Sequence, residues 1–98
     1  MKRRVLVIEN DMLICRLIKN YMQDHGADVC CTGSPIEALE EFMRQEYCIT
    51  MIDYQMPGMT CVEMLRIMRA AKNTPILVLS EHLESSEKIA IFHAGANA

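Results

Sequence analysis

The chain has 98 residues, the length of a single domain; 51% of them are hydrophobic and 23% are charged. This balance excludes a disordered chain, which combines few apolar residues with a high net charge. The formal net charge is −3, and the only cluster of basic residues is Lys2-Arg3-Arg4. The sequence therefore offers no basic face for nucleic acid, and no apolar run is long enough to span a bilayer.

The five cysteines form no CxxC pair, and none has a histidine at zinc-binding spacing. Their number is odd and two of them are adjacent, which favours small buried hydrophobes in a reducing compartment over disulfides or zinc ligands. The basic start precedes only four apolar residues, which is too short for a signal peptide. We therefore expect a cytoplasmic protein.

The first two elements are predicted to be a strand and a helix. Residues 5–8 are a short apolar run rich in β-branched residues, which is typical of a strand buried on both faces. The next segment shows helical periodicity up to Gly26, and either Asn10 or Asp11 can cap its start. Its predicted inner stripe comprises Leu13, Ile14, Leu17, Ile18, Tyr21 and Met22.

The next two elements repeat this order. Residues 29–32 alternate polar and apolar side chains, which indicates an edge strand. Ser34 then predicts a helix cap, Pro35 suits the first helical position, and Glu37 completes a capping box. This second helix is expected to end near residue 45.

The remainder continues the alternation. The pattern predicts a strand over 49–52 and a helix over about 61–71, then a strand over 76–79 and a helix over about 85–94. Pro57 and Gly58 mark a loop between the third strand and its helix, and Gly95 marks the end of the last helix. Strict alternation of strands and helices predicts a parallel sheet that is covered by helices on both faces.

Polar residues follow three of the predicted strands. Glu9, Asn10 and Asp11 come after the first strand, Asp53 after the third and Ser80 after the fourth. Ligands of open α/β sheets bind beyond the carboxyl ends of the strands. The first strand lacks a glycine-rich loop, which excludes the dinucleotide and P-loop fingerprints.

If the first and third strands are neighbours, Glu9 and Asp53 converge, and a hard cation such as Mg²⁺ would relieve their repulsion. Ser80 could then donate a hydrogen bond to a phosphoryl oxygen. Each residue also has a simpler interpretation, as a helix-start residue, a solvated carboxylate or a loop hydroxyl. Because all of these residues are predicted to lie at the same edge of the sheet, a shared functional site is favoured over the separate interpretations.

The sequence resembles the response-regulator receiver domain of two-component signalling over its whole length. The resemblance is carried by residues 5–11, 51–59, 74–80 and 94–96, and the stretch Asp-x-x-Met-Pro-Gly-Met from Asp53 is the most specific. It implies a flavodoxin-like doubly wound parallel sheet with strand order 2-1-3-4, the family's fifth strand and fifth helix being missing. Residues 1–98 would then be one receiver domain, truncated before the fifth strand.

The resemblance also implies roles. Asp53 matches the phosphoacceptor of a histidine kinase partner, and Ser80 matches the hydroxyl that binds the phosphoryl group and moves on activation. Glu9, Asn10 and Asp53, with the backbone carbonyl of Gln55, match the Mg²⁺ site. The domain would be a signalling switch for an output domain or a downstream protein, with a homodimer as an open alternative. It would not be an enzyme beyond assisting its own phosphotransfer and dephosphorylation.

Three departures from the family are visible. Asn10 stands where the family usually has Asp, Glu81 follows Ser80 where a small residue is usual, and the chain stops at Ala98 before the family's lysine. Lys88 does not match that lysine. A chain without the fifth strand would leave residues 76–79 at an open edge, so we expect it to associate, aggregate or unfold.

These departures favour a second hypothesis, a pseudo-receiver that binds partners without phosphorylation. A third, a Mg²⁺-dependent phosphatase with an aspartyl intermediate, requires Asp-x-Asp and is disfavoured because Gln55 occupies the second position.

Overall fold

The computed structural model describes residues 3–98. In this part of the chain, strands and helices alternate strictly: β1 (Arg3–Ile8), α1 (Met12–Asp24), β2 (Ala27–Thr32), α2 (Pro35–Arg44), β3 (Ile49–Asp53), α3 (Cys61–Ala71), β4 (Ile76–Leu79) and α4 (Ser85–Ala94). The strands form one parallel sheet in the order β2-β1-β3-β4. The predicted doubly wound fold and the predicted strand order are confirmed.

Two apolar clusters cover the two faces of the sheet, because successive strand side chains point to opposite sides. On one face, Val5, Val7 and Val29 pack against Cys15 of α1. On the other face, Leu6 and Ile8 belong to a larger cluster that also contains buried residues of α2, α3 and α4. The second cluster is the main core of the domain.

Helix α1 differs from its sequence prediction. The structure buries Cys15 and half-buries Ile18 and Met22, whereas four members of the predicted inner stripe are exposed. These four residues, called the α1 stripe below, are Leu13, Ile14, Leu17 and Tyr21, with exposed fractions of 62%, 40%, 61% and 65%. The prediction was wrong for them because α1 packs chiefly over β2, through a cluster around Cys15 that covers only part of the apolar surface of the helix.

The caps explain where two helices begin. Asp11, rather than Asn10, caps α1, and its carboxylate accepts hydrogen bonds from the N–H groups of Leu13 and Ile14 at 2.9 and 3.4 Å. Ser34 caps α2 as predicted by accepting from the N–H of Glu37. Within residues 3–98, no helix has the length and apolar character needed to cross a bilayer.

The residues after α4 return to the outer edge of β4. The N–H of Asn97 donates to the carbonyl of Ile76 at 2.9 Å, and the N–H of Val78 donates to the carbonyl of Ala98 at 2.8 Å. β4 is the edge strand of the sheet, as predicted, but the expectation that this edge is open was wrong where residues 97 and 98 pair with it. Gly95, with a φ of 122°, makes the sharp turn that directs the chain back to the sheet.

The guanidinium of Arg69 on α3 holds this turn in place. It donates to the carbonyl of Gly95 at 2.6 and 3.0 Å, to the carbonyl of Thr74 at 2.8 Å and to Oδ1 of Asn97 at 2.7 Å. A Cβ atom on Gly95 would lie 2.8 Å from Cβ of Arg69. The turn and the arginine therefore fit together only if residue 95 has no side chain.

Candidate functional site

An open cleft of about 800 Å³ lies at the carboxyl edge of the sheet. It collects every site residue predicted from the sequence: Glu9, Asn10, Asp11, Asp53, Gln55 and Ser80. The lining also includes Val78, Leu79 and Glu81, together with Ile14, which was predicted to lie in the inner stripe of the first helix, and His82, which was not predicted.

The strand register explains why the two acidic positions meet. Ile8 of β1 pairs with Ile52 of β3, so Glu9 and Asp53 are the next residues along two neighbouring parallel strands. The backbone N–H of Glu9 donates to the carbonyl of Thr32 at 3.0 Å, and the N–H of Tyr54 donates to the carbonyl of Leu79 at 2.9 Å. Backbone hydrogen bonds between neighbouring strands therefore continue past the strand ends and fix the backbone at Glu9 and next to Asp53.

Glu9 is a buried carboxylate, only 3% exposed. Burial raises the pKa of Glu9 above its ordinary value, and the charge of Asp53 and a hydrogen bond with its side chain raise that pKa further. The backbone N–H of Asp11, which donates to Oε1 of Glu9 at 3.1 Å, acts in the opposite direction. The cleft thus holds two carboxyl groups that are close enough for Asp53 to raise the pKa of Glu9.

Asn10 and Asp11 differ in what they offer the cleft. Asn10 is exposed, and its backbone passes close to Gly33, where a Cβ atom would lie 3.4 Å from Cα of Asn10. The carboxylate of Asp11 is engaged by the first turn of α1. The Asp11 side chain is therefore used to cap the helix, whereas the Asn10 side chain is left to face the cleft.

Asp53 ends β3 and is half-buried. Its Oδ1 accepts a hydrogen bond from the backbone N–H of Gln55 at 3.2 Å, which shapes the loop that follows. The next residue, Tyr54, donates its hydroxyl to Oε2 of Glu87 on α4 at 3.0 Å. The strand end that carries Asp53 is therefore tied to a neighbouring helix.

The fourth strand contributes the opposite wall. Ser80 is exposed, and its hydroxyl donates to the carbonyl of His82 at 3.2 Å. His82 lies at the mouth of the cleft, with Nε2 at 3.3 Å from Oε1 of Glu84. Glu81 adds a further carboxylate to the lining.

The donor set suits a hard cation. The cleft lining contains the oxygen donors of Glu9, Asn10, Asp53 and Gln55 but no lysine or arginine. Two neighbouring carboxyl groups without a basic residue in the cleft lining favour a bound cation, and oxygen ligands suit Mg²⁺. Within residues 3–98, no group of three or more His, Cys, Asp or Glu side chains is arranged to hold a metal. A cation here would rely on amide and carbonyl oxygens, and on water, for its remaining ligands.

Three comparisons with known proteins agree with this arrangement. The sequence model of the family described as "Response regulator receiver domain" matches residues 5–98. The chain is 33% identical over 95 residues to the cell cycle transcriptional regulator CtrA of Caulobacter vibrioides, covering 96% of this chain and 41% of that protein. The chain therefore spans less than half the length of this curated relative.

Solved structures show the same architecture. The receiver domain of the Francisella response regulator 1452 superposes with a TM-score of 0.89 at 29% identity, covering 98% of this chain and 80% of that one. The receiver domain of the sensor histidine kinase PA1611 from Pseudomonas aeruginosa superposes with a TM-score of 0.87 at 21% identity, covering 99% and 82%. The latter was solved with a magnesium ion coordinated in its active site cleft, and at this identity the likeness concerns the fold alone.

Proposed function

Because the chain belongs to the response regulator receiver domain family, we propose that Asp53 accepts a phosphoryl group from the phosphohistidine of a sensor histidine kinase. The observation that carries the proposal is the strand register, which brings Glu9 and Asp53 side by side in one cleft at the carboxyl edge of the sheet. Two acidic groups at one edge, with a serine opposite, are the parts that phosphoryl transfer to a carboxylate requires.

In the proposed reaction, an oxygen of the Asp53 carboxylate attacks the phosphorus atom in line. A P–O bond forms while the P–N bond of the phosphohistidine breaks, and the imidazole leaves. The hydroxyl of Ser80 turns from the carbonyl of His82 to donate to a phosphoryl oxygen. Since Ser80 precedes the loop to α4, this change of partner provides the switch that the output responds to.

The proposed cofactor is Mg²⁺, held by Glu9, Asn10, Asp53 and the backbone carbonyl of Gln55. When bound, it would neutralise charge on the phosphoryl oxygens. The buried carboxylate of Glu9 would serve as the fixed anionic ligand, because the strand pairing of β1 restrains it.

The proposed partners are a sensor histidine kinase and an output domain or downstream protein, and residues 1–98 would be the receiver unit. We assign no enzymatic activity beyond assistance to the domain's own phosphotransfer and dephosphorylation. The proposed compartment is the cytoplasm, because all five cysteines are unpaired.

A pseudo-receiver is the second candidate, and two observations favour it. Asn10 supplies a neutral amide where one more carboxylate would strengthen the cation site. Glu81 adds negative charge to the lining, which opposes an incoming phosphoryl group. Under this alternative the domain binds its partner without ever being phosphorylated.

Intact-mass measurement after incubation with Mg²⁺ and a small phosphodonor such as phosphoramidate separates the two candidates. We expect the parent chain to gain one phosphoryl group and Asp53→Asn to gain none, while the exposed control Asp24→Asn labels like the parent. Beryllofluoride with Mg²⁺ should likewise bind the parent and the control but not Asp53→Asn. Undiminished labelling of Asp53→Asn would refute the site, and an unlabelled parent would favour the pseudo-receiver.

A further inference from the structure

Two of the five cysteines meet where α1 crosses β2. Cys15 lies on the buried face of α1 and Cys31 on the same side of the sheet, within the cluster formed with Val5, Val7 and Val29. Burial raises the pKa of the Cys15 thiol, and the nearby side chain of Cys31 raises that pKa further. The Sγ of Cys31 also donates to the backbone carbonyl of Cys15 at 3.6 Å.

The fold separates the other three cysteines from this pair. Cys30 points to the opposite face of the sheet, where its side chain contacts Tyr47. Cys61 is buried on α3 in the main core, and Cys48 is exposed just before β3. Adjacency in sequence therefore does not make Cys30 and Cys31 a pair, whereas the fold brings together two cysteines that are 16 positions apart.

The thiols of Cys15 and Cys31 differ in their exposure to solvent. Cys15 is 3% exposed, whereas Cys31 is half-buried on β2, which is an edge strand. A small oxidant thus reaches Cys31 first. We propose that Cys15 and Cys31 form a redox-active dithiol, which hydrogen peroxide converts to an intramolecular disulfide.

The chemistry balances with peroxide as the oxidant. The sulfur of Cys31 attacks one peroxide oxygen, an S–O bond forms and the O–O bond breaks. The departing hydroxide takes the proton of the Cys31 thiol and leaves as water, so Cys31 becomes a sulfenic acid. The sulfur of Cys15 then attacks the sulfur of Cys31, an S–S bond forms and the S–O bond breaks. Water leaves with the proton of the Cys15 thiol. In total, two thiols and one peroxide yield one disulfide and two waters.

Closure of the disulfide removes a hydrogen bond to Glu9, one of the residues that line the acidic cleft. In the reduced protein the thiol of Cys15 donates to the backbone carbonyl of Glu9 at 3.4 Å. The disulfide has no S–H group, so this hydrogen bond is lost, and the bridge also ties α1 to β2. Oxidation therefore changes the surroundings of Glu9 and its two neighbours, whether or not Asp53 accepts a phosphoryl group.

The test oxidises the 98-residue chain with a modest excess of hydrogen peroxide and measures intact mass and a non-reducing peptide map. We expect a loss of two hydrogen atoms, one linked peptide pair containing Cys15 and Cys31, and full reversal by dithiothreitol. The Cys48→Ser control should behave like the parent, and Cys31→Ser should lose the bridge. Circular dichroism establishes that each variant is folded. Substitution of the buried Cys15 by serine could unfold the domain, so the test uses Cys31→Ser, at a half-buried position, to remove the bridge.

A second readout follows the amide resonances of residues 9–11 in a ¹H–¹⁵N spectrum. We expect them to shift on oxidation of the parent and of Cys48→Ser, and to stay in place in Cys31→Ser. A bridge between two copies, a bridge that survives in Cys31→Ser, or irreversible sulfonic acid at Cys31 would overturn the proposal. So would a Cys15–Cys31 bridge that leaves the amides of residues 9–11 unmoved.

Discussion

Glu9 shows how one buried carboxylate links stability to pH. Burial and the neighbouring Asp53 raise its pKa, so the native state binds this proton more tightly than the unfolded chain does. Ionised Glu9 therefore lowers the stability of the fold near neutral pH. This cost disappears as the pH falls below about 4.5, where the group is protonated in both states.

We expect Glu9→Gln to melt at a higher temperature than the parent at about pH 7, and the difference to shrink toward about pH 4. Thermal unfolding followed by circular dichroism across this range provides the measurement. The control Glu40→Gln, an exposed carboxylate of α2, should show no such trend. A gap between Glu9→Gln and the parent that does not depend on pH would contradict the argument.

Asn10 sets the charge of the cleft, and this gives a second prediction at the residue scale. Asn10→Asp should strengthen Mg²⁺ binding, because one unit charge pair about 4 Å apart is worth about 1 kcal/mol even in water, roughly a five-fold change in affinity. Calorimetric titration of Mg²⁺ measures it, with Asn20→Asp on the exposed side of α1 as the control for added charge. Equal or weaker binding by Asn10→Asp would mean that residue 10 does not face the metal.

Most residues of the cleft could be predicted from the sequence because parallel strands end at a common edge, so the residues after each strand must meet there. Asp53 and Ser80 are of this kind. His82 was missed because its place depends on the course of the loop after β4, which no periodicity encodes. The contact of Tyr54 with Glu87 depends likewise on how α4 docks.

At the scale of elements, Lys72 shows how one helix stabilises the end of another. It follows α3, yet its ammonium donates to the carbonyls of Phe42 and Gln45 at the end of α2, at 2.5 and 2.9 Å. It also lies 5.0 Å from the centre of the Phe42 ring and 3.2 Å from a carboxylate oxygen of Glu46. These contacts satisfy helix carbonyls that have no partner within α2 itself.

We expect Lys72→Met to lower the free energy of unfolding by about 1–3 kcal/mol, because it leaves half-buried carbonyls without a charged donor. Urea unfolding measures the change. Lys88→Met, at an exposed position on α4, provides the matched control and should remain within about 0.5 kcal/mol of the parent. Equal stabilities of the two variants would show that the Lys72 contacts contribute nothing.

Helix α1 marks the limit of periodicity as a predictor of burial. The pattern identified which side of the helix is apolar, and Ile18 and Met22 do face the sheet. The pattern carries no information on how far the neighbouring elements extend. The α1 stripe therefore lies exposed, although its spacing equals that of a buried face.

For the molecule as a whole, the exposed α1 stripe predicts self-association, in keeping with a homodimer. Four large apolar side chains along one helix leave area in water that a second copy would cover, at about 25 cal/mol per Å². We expect the 98-residue chain to show concentration-dependent sedimentation at micromolar levels and Leu17→Glu to shift it toward the monomer. Gln23→Glu adds the same charge on another side of α1 and should sediment like the parent. A cooperatively melting parent that stays monomeric at all concentrations would exclude this expectation.

The turn at Gly95 limits how this fold can change over generations. While Arg69 is present, any side chain at residue 95 collides with it, so nearly every replacement of the glycine is harmful. Replacing Arg69 by a smaller residue does not remove this collision, because every residue except glycine keeps a Cβ atom at position 69, 2.8 Å from a Cβ on residue 95. The cost of a left-handed backbone at residue 95 also remains. Changes at residue 69 therefore do not release residue 95, and glycine should persist there as copies of this domain diverge.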